Sequence, residues 1–379
     1  MILKQLLFVA LAATPLIAIA ADDVTSAAAL ILTAPLDYQV VQRQTMGAGV
    51  VPVAGVCALP CDKIEMRLEG KDMNGTALPA TWITAILDPA TKGFKGDLKT
   101  PAGGWYTLNV RAMKKRKEVA RVTVAHVGVG EVFVCAGQSN STSCGGIKAK
   151  PGQFPLDGRT QPESGLVSSF DGKTWRIAKD PQPGAHDTWD GGSPWPAFGD
   201  AMVARFKVPV GVAVTGHGGT NISQWMKAAK AVKGGKDKAG LYAWTLTRMN
   251  QLGKNGFRAV LWHQGESDYG MKAQTYADGL GRIIADFRQD AGWEMPWFVA
   301  HASFCPGSPV IDTNSRGGQK ILWEKGVALE GPDTDKLLGD LRDHGGKGIH
   351  FSRKGLKAHG DAWADKVGTW LEQQPQPGK

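Results

Sequence analysis

The sequence predicts an α/β protein in which a parallel sheet, covered by helices on both faces, follows a small all-β sandwich. Before residue 130, short alternating apolar runs are separated by turn clusters and no helical periodicity interrupts them. After residue 130, apolar strand-like runs alternate with helical patterns, which is typical of a three-layer α/β/α arrangement. Polar residues suited to chemistry follow several of these runs, where ligands bind in parallel sheets.

Residues 1–20 have the pattern of a secretory signal peptide. Lys4 precedes an apolar stretch at 6–19, and Ala18-Ile19-Ala20 supplies small residues for cleavage. The apolar stretch is too short to span a membrane. We therefore expect an exported protein, periplasmic or secreted, that is not held in a membrane.

Residues 24–129 are predicted to form the sandwich, with strands at 50–56, 63–68, 81–87 and 105–110. The basic run Lys114-Lys115-Arg116-Lys117 lies between two alternating segments and is predicted to be a hairpin tip. A carbohydrate-binding role and a purely structural role both fit this domain, because β-sandwiches serve both.

Residues 130–372 are predicted to form the parallel-sheet domain, and 373–379 a disordered tail. Helices are expected at 241–254, 273–290, 318–328 and 353–371, and further strands at 258–262, 296–300 and 336–341. The region 145–200 lacks periodicity and is rich in Gly, Pro and Trp, so we predict a long binding loop there.

Ser139 is the first candidate for chemistry. An apolar run that starts at Glu131 breaks at Gly137 and leaves Ser139 on the turn that follows. A serine hydroxyl needs a base within hydrogen-bond reach and donors for the developing oxyanion before it can act as a nucleophile. A nucleophile elbow of the α/β-hydrolase type would need glycine at 141, where this chain has Ser141.

Three further segments lie at the ends of likely strands and could supply these groups. They are Gly216-His217-Gly218-Gly219-Thr220, His263-Gln264-Gly265-Glu266 and Gly348-Ile349-His350. Glycine-rich turns let backbone N–H groups approach a substrate oxygen closely. The order along the chain is therefore serine, glycine, glutamine and histidine.

These segments resemble the SGNH hydrolases, in particular the carbohydrate O-acetylesterases of the sialate O-acetylesterase and acetylxylan esterase type. The resemblance rests on Gly137-Gln138-Ser139-Asn140, Gly218-Gly219-Thr220, Trp262-His263-Gln264-Gly265-Glu266 and the C-terminal His350, and it covers roughly residues 30–370. It implies that Ser139 is the nucleophile and His350 the base. It also implies an oxyanion hole made by the backbone N–H groups of Ser139 and Gly219 and the side-chain amide of Gln264.

The chain departs from the family pattern at one position. Three residues before His350 the family usually has aspartate, and this chain has Lys347. An imidazole base needs a partner on its other ring nitrogen, which lysine cannot be. Glu266 is the preferred replacement, Asp343 the alternative and Asp340 a weaker third, and a dyad oriented by a backbone carbonyl also remains open.

The expected substrate is an acetylated carbohydrate, with hemicellulose such as xylan or xyloglucan preferred over sialic acid. Aromatic side chains suit sugar faces, so Trp189, Trp195 and Trp225 are candidate platforms, and each has a packing role as its alternative. His217 and His263 are expected to line the pocket or brace the catalytic loops.

Two other functions remain open: a lipase or thioesterase of the same fold, and a carbohydrate-binding protein without catalysis. No long apolar stretch in 145–200 suits an acyl chain, which disfavours the lipase. Lys347 favours the binding protein.

Composition argues against several other classes. The formal net charge is +9, but the basic residues are dispersed and not interleaved with aromatics, so no nucleic-acid partner is expected. No His or carboxylate spacing indicates a metal, and no cofactor is expected. The five cysteines are too few for a disulfide framework, although Cys57 and Cys61 could close a small loop.

Overall fold

The computed structural model describes residues 29–146, 158–307 and 313–374. The predicted signal peptide, part of the 145–200 region and most of the predicted tail therefore lie outside the described residues. Among the helices that are described, none is both long enough and apolar enough to cross a membrane.

The first part of the chain consists of strands, without a helix among the described residues before 130. Its elements are β1 (Leu30–Ala34), β2 (Gln39–Gln42), β3 (Ala48–Cys57), β4 (Lys63–Glu69), β5 (Ile83–Leu87), β6 (Gly93–Pro101), β7 (Gly103–Lys114) and β8 (Lys117–Gly137). They pair in the order β1-β3-β6-β5-β4-β7-β8, each pair antiparallel, while β2 runs parallel to β8. The predicted hairpin is confirmed, since Lys114 pairs with Lys117 across its tip.

No linker marks the predicted division near residue 130. The strand β8 runs from Lys117 to Gly137 without a break and carries the chain from the antiparallel strands into the parallel sheet. One apolar core cluster also joins side chains of both parts, such as Val110 and Phe133. A separate sandwich domain at 24–129 therefore stays a prediction.

The second part forms the predicted parallel sheet. Its strands are β9 (Val167–Phe170), β10 (Trp175–Ile177), β11 (Val210–Val214), β12 (Ala259–His263), β13 (Trp297–His301) and β14 (Leu329–Asp333). The order is β10-β9-β11-β8-β12-β13-β14, and every pair is parallel except β10 with β9 at the edge.

Helices cover both faces of this sheet. They are α1 (Trp195–Phe206), α2 (Leu241–Leu252), α3 (Ala273–Ala291), α4 (Thr313–Glu324) and α5 (Arg353–Gln373). Successive side chains of a strand point to opposite faces. Accordingly Phe133 of β8 packs in a cluster with Trp195 and Trp363 of α1 and α5, while Val134 packs with side chains of α2, α3 and α4.

Three predicted elements need correction. The region 145–200 contains β9, β10 and the start of α1, whose Pro196 sits in the first turn, where its missing N–H costs nothing. The segment 336–341, predicted as a strand, lies in a pair of short helical turns. The last strand of the sheet is instead β14, and its Gly331 and Pro332 interrupt the apolar pattern by which a strand is recognised. The helix predicted at 318–328 is α4, which ends at Glu324.

Candidate active site

Ser139 lies on a single helical turn directly after β8. At Gly137 the backbone has φ +125°, and a Cβ there would lie 2.1 Å from the carbonyl oxygen of His263 on β12. The next residue, Gln138, donates its backbone N–H to that same oxygen at 2.9 Å. Glycine is therefore required where the chain leaves β8, and the close approach of the two strands fixes the turn that carries Ser139.

The Gly218-Gly219 turn follows β11 and lies against Ser139. His217 donates its backbone N–H to the Gly137 carbonyl at 3.0 Å, and a Cβ on Gly218 would lie 3.4 Å from the Cβ of Ser139. Gly219 has φ +69° and open space around it. Asp187 accepts the N–H of Gly218 at 2.8 Å and holds the turn in place.

Two backbone donors at this point are free of internal partners. Within the described residues, the N–H groups of Ser139 and Gly219 donate no hydrogen bond. An unpaired backbone N–H must reach water or a ligand. These two groups are the backbone donors that the family resemblance implies for an oxyanion hole.

The contacts of Gln264, the third donor expected in the oxyanion hole, do not support that role. Its side chain is fully buried, and its amide nitrogen contacts the Thr220 carbonyl at 3.2 Å and the Asp268 carboxylate. The amide oxygen accepts from the Tyr276 hydroxyl at 3.0 Å. Because an amide has two N–H groups, this network leaves none for a substrate, so Gln264 braces the loop after β12.

His350 lies before α5, and its Nδ1 is 3.9 Å from Oδ2 of Asp343. The Asp343 backbone N–H also donates to the His350 carbonyl at 3.0 Å, which closes the intervening loop. Asp343 is buried, and neither of its carboxylate oxygens has a hydrogen-bond partner. Within the described part of the chain, Asp343 is the carboxylate within 4.0 Å of a ring nitrogen of His350.

The path of the loop explains how this acid reaches the ring from seven residues away. His344, Gly345 and Gly346 have φ of 51°, 67° and 88°, which turns the chain back on itself. A Cβ on Gly348 would lie 1.5 Å from Oδ1 of Asp343, so any other residue there would displace the carboxylate. Lys347 is exposed.

Burial shifts both titrating groups. It raises the pKa of Asp343 from 3.8 to about 6, against the nearby positive charges of His344 and Arg342. It lowers the pKa of His350 to about 4, in the same direction as those charges. Each group lacks the solvation that its charged form needs. The imidazole is thus neutral, and able to accept a proton, over the physiological pH range.

Glu266, the preferred acid in the sequence analysis, has other partners. Its Oε1 accepts from the side-chain amide of Asn140 at 2.8 Å and lies 3.7 Å from Nδ1 of His263. Asp340, the third candidate, is 71% exposed and pairs with Lys354 at 2.6 Å. The contacts thus favour Asp343 over both, which reverses the sequence-based preference.

Ser139 and His350 are not hydrogen-bonded to each other in this structure, but the residues next to them in sequence, Asn140 and Ile349, are. The amide of Asn140 also donates to the Ile349 carbonyl at 3.3 Å, which joins the serine turn to the histidine loop. Catalytic hydrogen bonds are often long in the absence of substrate, so this geometry is compatible with a serine–histidine pair.

Sequence reasoning missed Arg342. Its buried guanidinium donates to the carbonyls of Leu337, Thr334 and Ile349 at 2.7, 2.9 and 2.7 Å. It therefore ties both ends of the histidine loop to the end of β14. Its position beside Asp343 is the only sequence signal that could have drawn attention to it.

The predicted sugar contacts divide into one exposed residue and four buried ones. Trp189 is 47% exposed and its ring nitrogen lies beside Gly218, next to Ser139. Trp195 and Trp225 are fully buried and donate to the Ser141 carbonyl and the Thr220 hydroxyl. These two tryptophans pack the core, so their predicted role as platforms is wrong.

His217 and His263, predicted to line the pocket or brace the catalytic loops, both contact side chains of other loops. His217 is buried, with Nδ1 2.8 Å from Nδ1 of His186, and His263 contacts the Thr334 hydroxyl at 2.8 Å. Burial lowers the pKa of both rings. The part of the chain that the structure describes holds no group of three or more His, Cys, Asp or Glu residues suited to a metal ion.

A serine on a strand-to-helix turn, two free backbone donors and a histidine–aspartate pair are the parts that acyl-transferring hydrolases use. The class is thus a hydrolase built on a three-layer α/β fold. The family model described as carbohydrate esterase, sialic acid-specific acetylesterase, matches residues 129–368. The chain belongs to this family.

Two individual proteins extend the comparison. Over 175 residues the chain is 27% identical to a probable carbohydrate esterase of Arabidopsis thaliana, a match that covers 42% of this chain and 64% of that protein. The chain thus matches less than two thirds of this relative's length. The structure of a carbohydrate acetylesterase from Xanthomonas citri superposes with a TM-score of 0.55 and 19% identity, over 91% of this chain and 76% of that one. This second likeness supports the fold.

Proposed function

We propose that this protein is a serine esterase that removes acetyl groups from a carbohydrate. The observation that carries the proposal is the hydrogen bond from Asn140 to the Ile349 carbonyl at 3.3 Å, at the carboxyl ends of the parallel strands. It joins the Ser139 turn, with its two unpaired backbone N–H groups, to the loop that carries the His350–Asp343 pair. Family membership supplies the carbohydrate ester as the substrate class.

In the proposed reaction the Ser139 hydroxyl attacks the acetyl carbonyl carbon while His350 takes its proton. The N–H groups of Ser139 and Gly219 stabilise the negative oxygen of the tetrahedral intermediate. The bond between the acetyl carbon and the sugar oxygen then breaks, and the imidazolium protonates that oxygen, which leaves as the free sugar hydroxyl. Water, activated by His350, releases acetate from acetyl-Ser139 by the same steps in reverse.

Asp343 takes the orienting role in this proposal. Its carboxylate faces Nδ1 of His350, which leaves Nε2 for the serine and stabilises the imidazolium when it forms. The binding protein without catalysis is disfavoured for the same reason, because Asp343 compensates for Lys347.

For the substrate we favour acetylated hemicellulose, such as xylan or xyloglucan, with Trp189 as a contact for a sugar ring. Sialic acid remains the second candidate, because the family description names it. A lipase or thioesterase is disfavoured, since among the described residues after 130 three large apolar side chains are exposed, too few to line a site for a long acyl chain.

The test is hydrolysis of p-nitrophenyl acetate compared with the butyrate and longer esters, followed by acetate release from acetylated xylan and from O-acetylated sialic acid. We expect acetate to be preferred and Ser139→Ala to abolish turnover while the fold is kept. Ser267→Ala is the matched control, because Ser267 is an exposed serine at the same end of the sheet. Full activity of Ser139→Ala would disprove the mechanism, and a preference for long acyl chains would disprove the acetylesterase.

A further inference from the structure

Large apolar side chains that are exposed fall into two groups among the described residues. Four lie on the strands before residue 130, and three lie in the second part of the chain. These three are Trp189, Tyr269 and Leu338, exposed to 47%, 38% and 37%. All three lie on loops at the carboxyl ends of the parallel strands, the same end of the sheet as Ser139.

Trp189 flanks the serine on the β11 side. Its ring nitrogen would be 3.0 Å from a Cβ on Gly218, and that turn contacts Ser139. Asp187 holds the Gly218 N–H at 2.8 Å, so the loop that carries Trp189 is tied to the proposed oxyanion turn.

Tyr269 flanks the serine on the β12 side, on the loop that links β12 to α3. Ser267 donates its backbone N–H to the Gln138 side chain at 3.1 Å, and Asp268 accepts the Ile222 N–H at 2.8 Å. The two residues before Tyr269 are therefore fixed to the serine turn and to the segment after Gly219. Leu338 follows β14, on the loop that ends with His350.

The strand order sets the spacing of the strand ends beside which the loops with these side chains lie. Since β8 lies between β11 and β12, the ends of those two strands are about 10 Å apart with Ser139 between them, and β14 lies about 10 Å farther on. A pyranose unit with its glycosidic link is close to one strand spacing in length. Exposed aromatic rings on loops beside such strand ends suit the apolar C–H faces of successive sugars.

We propose that Tyr269 is a second sugar platform and that the substrate is a glycan chain of at least three residues lying across the strand ends. The acetylated residue lies over Ser139, one neighbour stacks on Trp189 and the other on Tyr269, and Leu338 contacts a residue farther along. This inference rests on the proposed function and identifies the substrate as an acetyl group inside a chain.

The test measures kcat/KM for acetylated xylo-oligosaccharides of one to four residues and for p-nitrophenyl acetate. Wild type gains activity as the chain grows to three residues. Tyr269→Ala lowers that gain by about two- to tenfold, the usual worth of one aromatic contact, and Tyr269→Phe, which keeps the ring, restores it. Ile86→Ala removes an apolar side chain that is 68% exposed on β5 and changes none of these ratios.

Calorimetric titration of unacetylated xylotetraose into the wild type and the Tyr269→Ala variant tests the same groove independently of catalysis. Weaker binding by the variant supports the groove. Equal kcat/KM for all chain lengths in an enzyme that hydrolyses p-nitrophenyl acetate, or equal binding by both proteins, overturns it and leaves the esterase intact. Lack of turnover of every ester together with Tyr269-dependent binding overturns the esterase and keeps the groove.

Discussion

The carboxylate of Asp343 lies 3.9 Å from Nδ1 of His350, seven residues farther along the chain. Lys347 occupies the position from which an acid was expected, three residues before the histidine. The left-handed run 344–346 and the missing side chain at Gly348 together bring the more distant acid to the ring.

Asp343→Asn is therefore expected to lower kcat by about 10²- to 10⁴-fold, because the imidazolium loses its counter-charge and the ring its tautomer. Glu266→Gln keeps an oxygen that can accept from Asn140, so we expect a loss of less than about tenfold. The measurement is kcat on p-nitrophenyl acetate, with circular dichroism to verify folding. The opposite ranking would return the role to Glu266.

Gly348→Ala is expected to act through Asp343. Its Cβ would overlap the carboxylate, at 1.5 Å from Oδ1, and push it from His350. We expect Gly348→Ala to lower kcat by most of the factor by which Asp343→Asn lowers it. The double variant should lose little more kcat than either single variant, because both substitutions act on one interaction. Additive losses in this double-mutant cycle would refute the coupling. Gly339→Ala, at a nearby glycine with open space around it, controls for loop strain.

Gln264→Ala distinguishes a structural role of Gln264 in the loop after β12 from a catalytic role as an oxyanion-hole donor. Removal of this buried amide leaves Asp268, Tyr276 and the Thr220 carbonyl short of partners, so we expect destabilisation by about 1–3 kcal/mol in urea unfolding. A donor that stabilised only the transition state would instead lower kcat by about 10²- to 10³-fold at unchanged stability. That second result would restore the role predicted from sequence.

Asp343 should also make stability depend on pH. Folding raises its pKa from 3.8 to about 6, so the folded state retains the proton longer, and the carboxyl destabilises the protein as pH rises through this interval. The free energy of unfolding of Asp343→Asn, measured relative to wild type, should therefore be up to about 3 kcal/mol higher at pH 8 than at pH 4. Asp340→Asn, at an exposed ion pair, should change by less than about 1 kcal/mol at either pH. A flat difference between wild type and Asp343→Asn would show that the carboxyl is well solvated.

The same pair of groups predicts how activity responds to acid. His350 accepts a proton only when neutral, above about pH 4, and Asp343 supplies its charge only above about pH 6. We therefore expect kcat/KM to rise from pH 4 to 6 and to level off above. Asp343→Asn should remove the upper of these two steps in the pH profile, and its persistence would assign that step to another group.

Trp189 and Trp195 should behave differently when truncated. Trp195→Ala empties a buried site and should cost about 3–5 kcal/mol of folding stability. Trp189→Ala should leave stability within about 0.5 kcal/mol, as at other surface positions, and raise KM for acetylated oligosaccharides. Thermal unfolding and oligosaccharide kinetics measure the two effects. An unchanged KM would exclude Trp189 from the site.

The sequence by itself determined the parallel sheet, the turn that carries Ser139 and the glycine-rich turn beside it. These features depend on local patterns: period-two alternation, helical period, and glycine where strands approach each other. Gly137, for example, is required by a backbone contact that any strand ending in this turn must make with β12.

Only the tertiary structure decided which acid faces His350 and which tryptophans are exposed. The reach of Asp343 depends on the φ angles of three consecutive residues and on the missing side chain of Gly348, and no periodic pattern encodes such a path. Trp189 and Trp195 are the same residue type only six positions apart. Trp195 is buried because α1 packs on α5, whereas the described residues leave Trp189 47% exposed. Packing partners that are distant in sequence cannot be read from a local pattern.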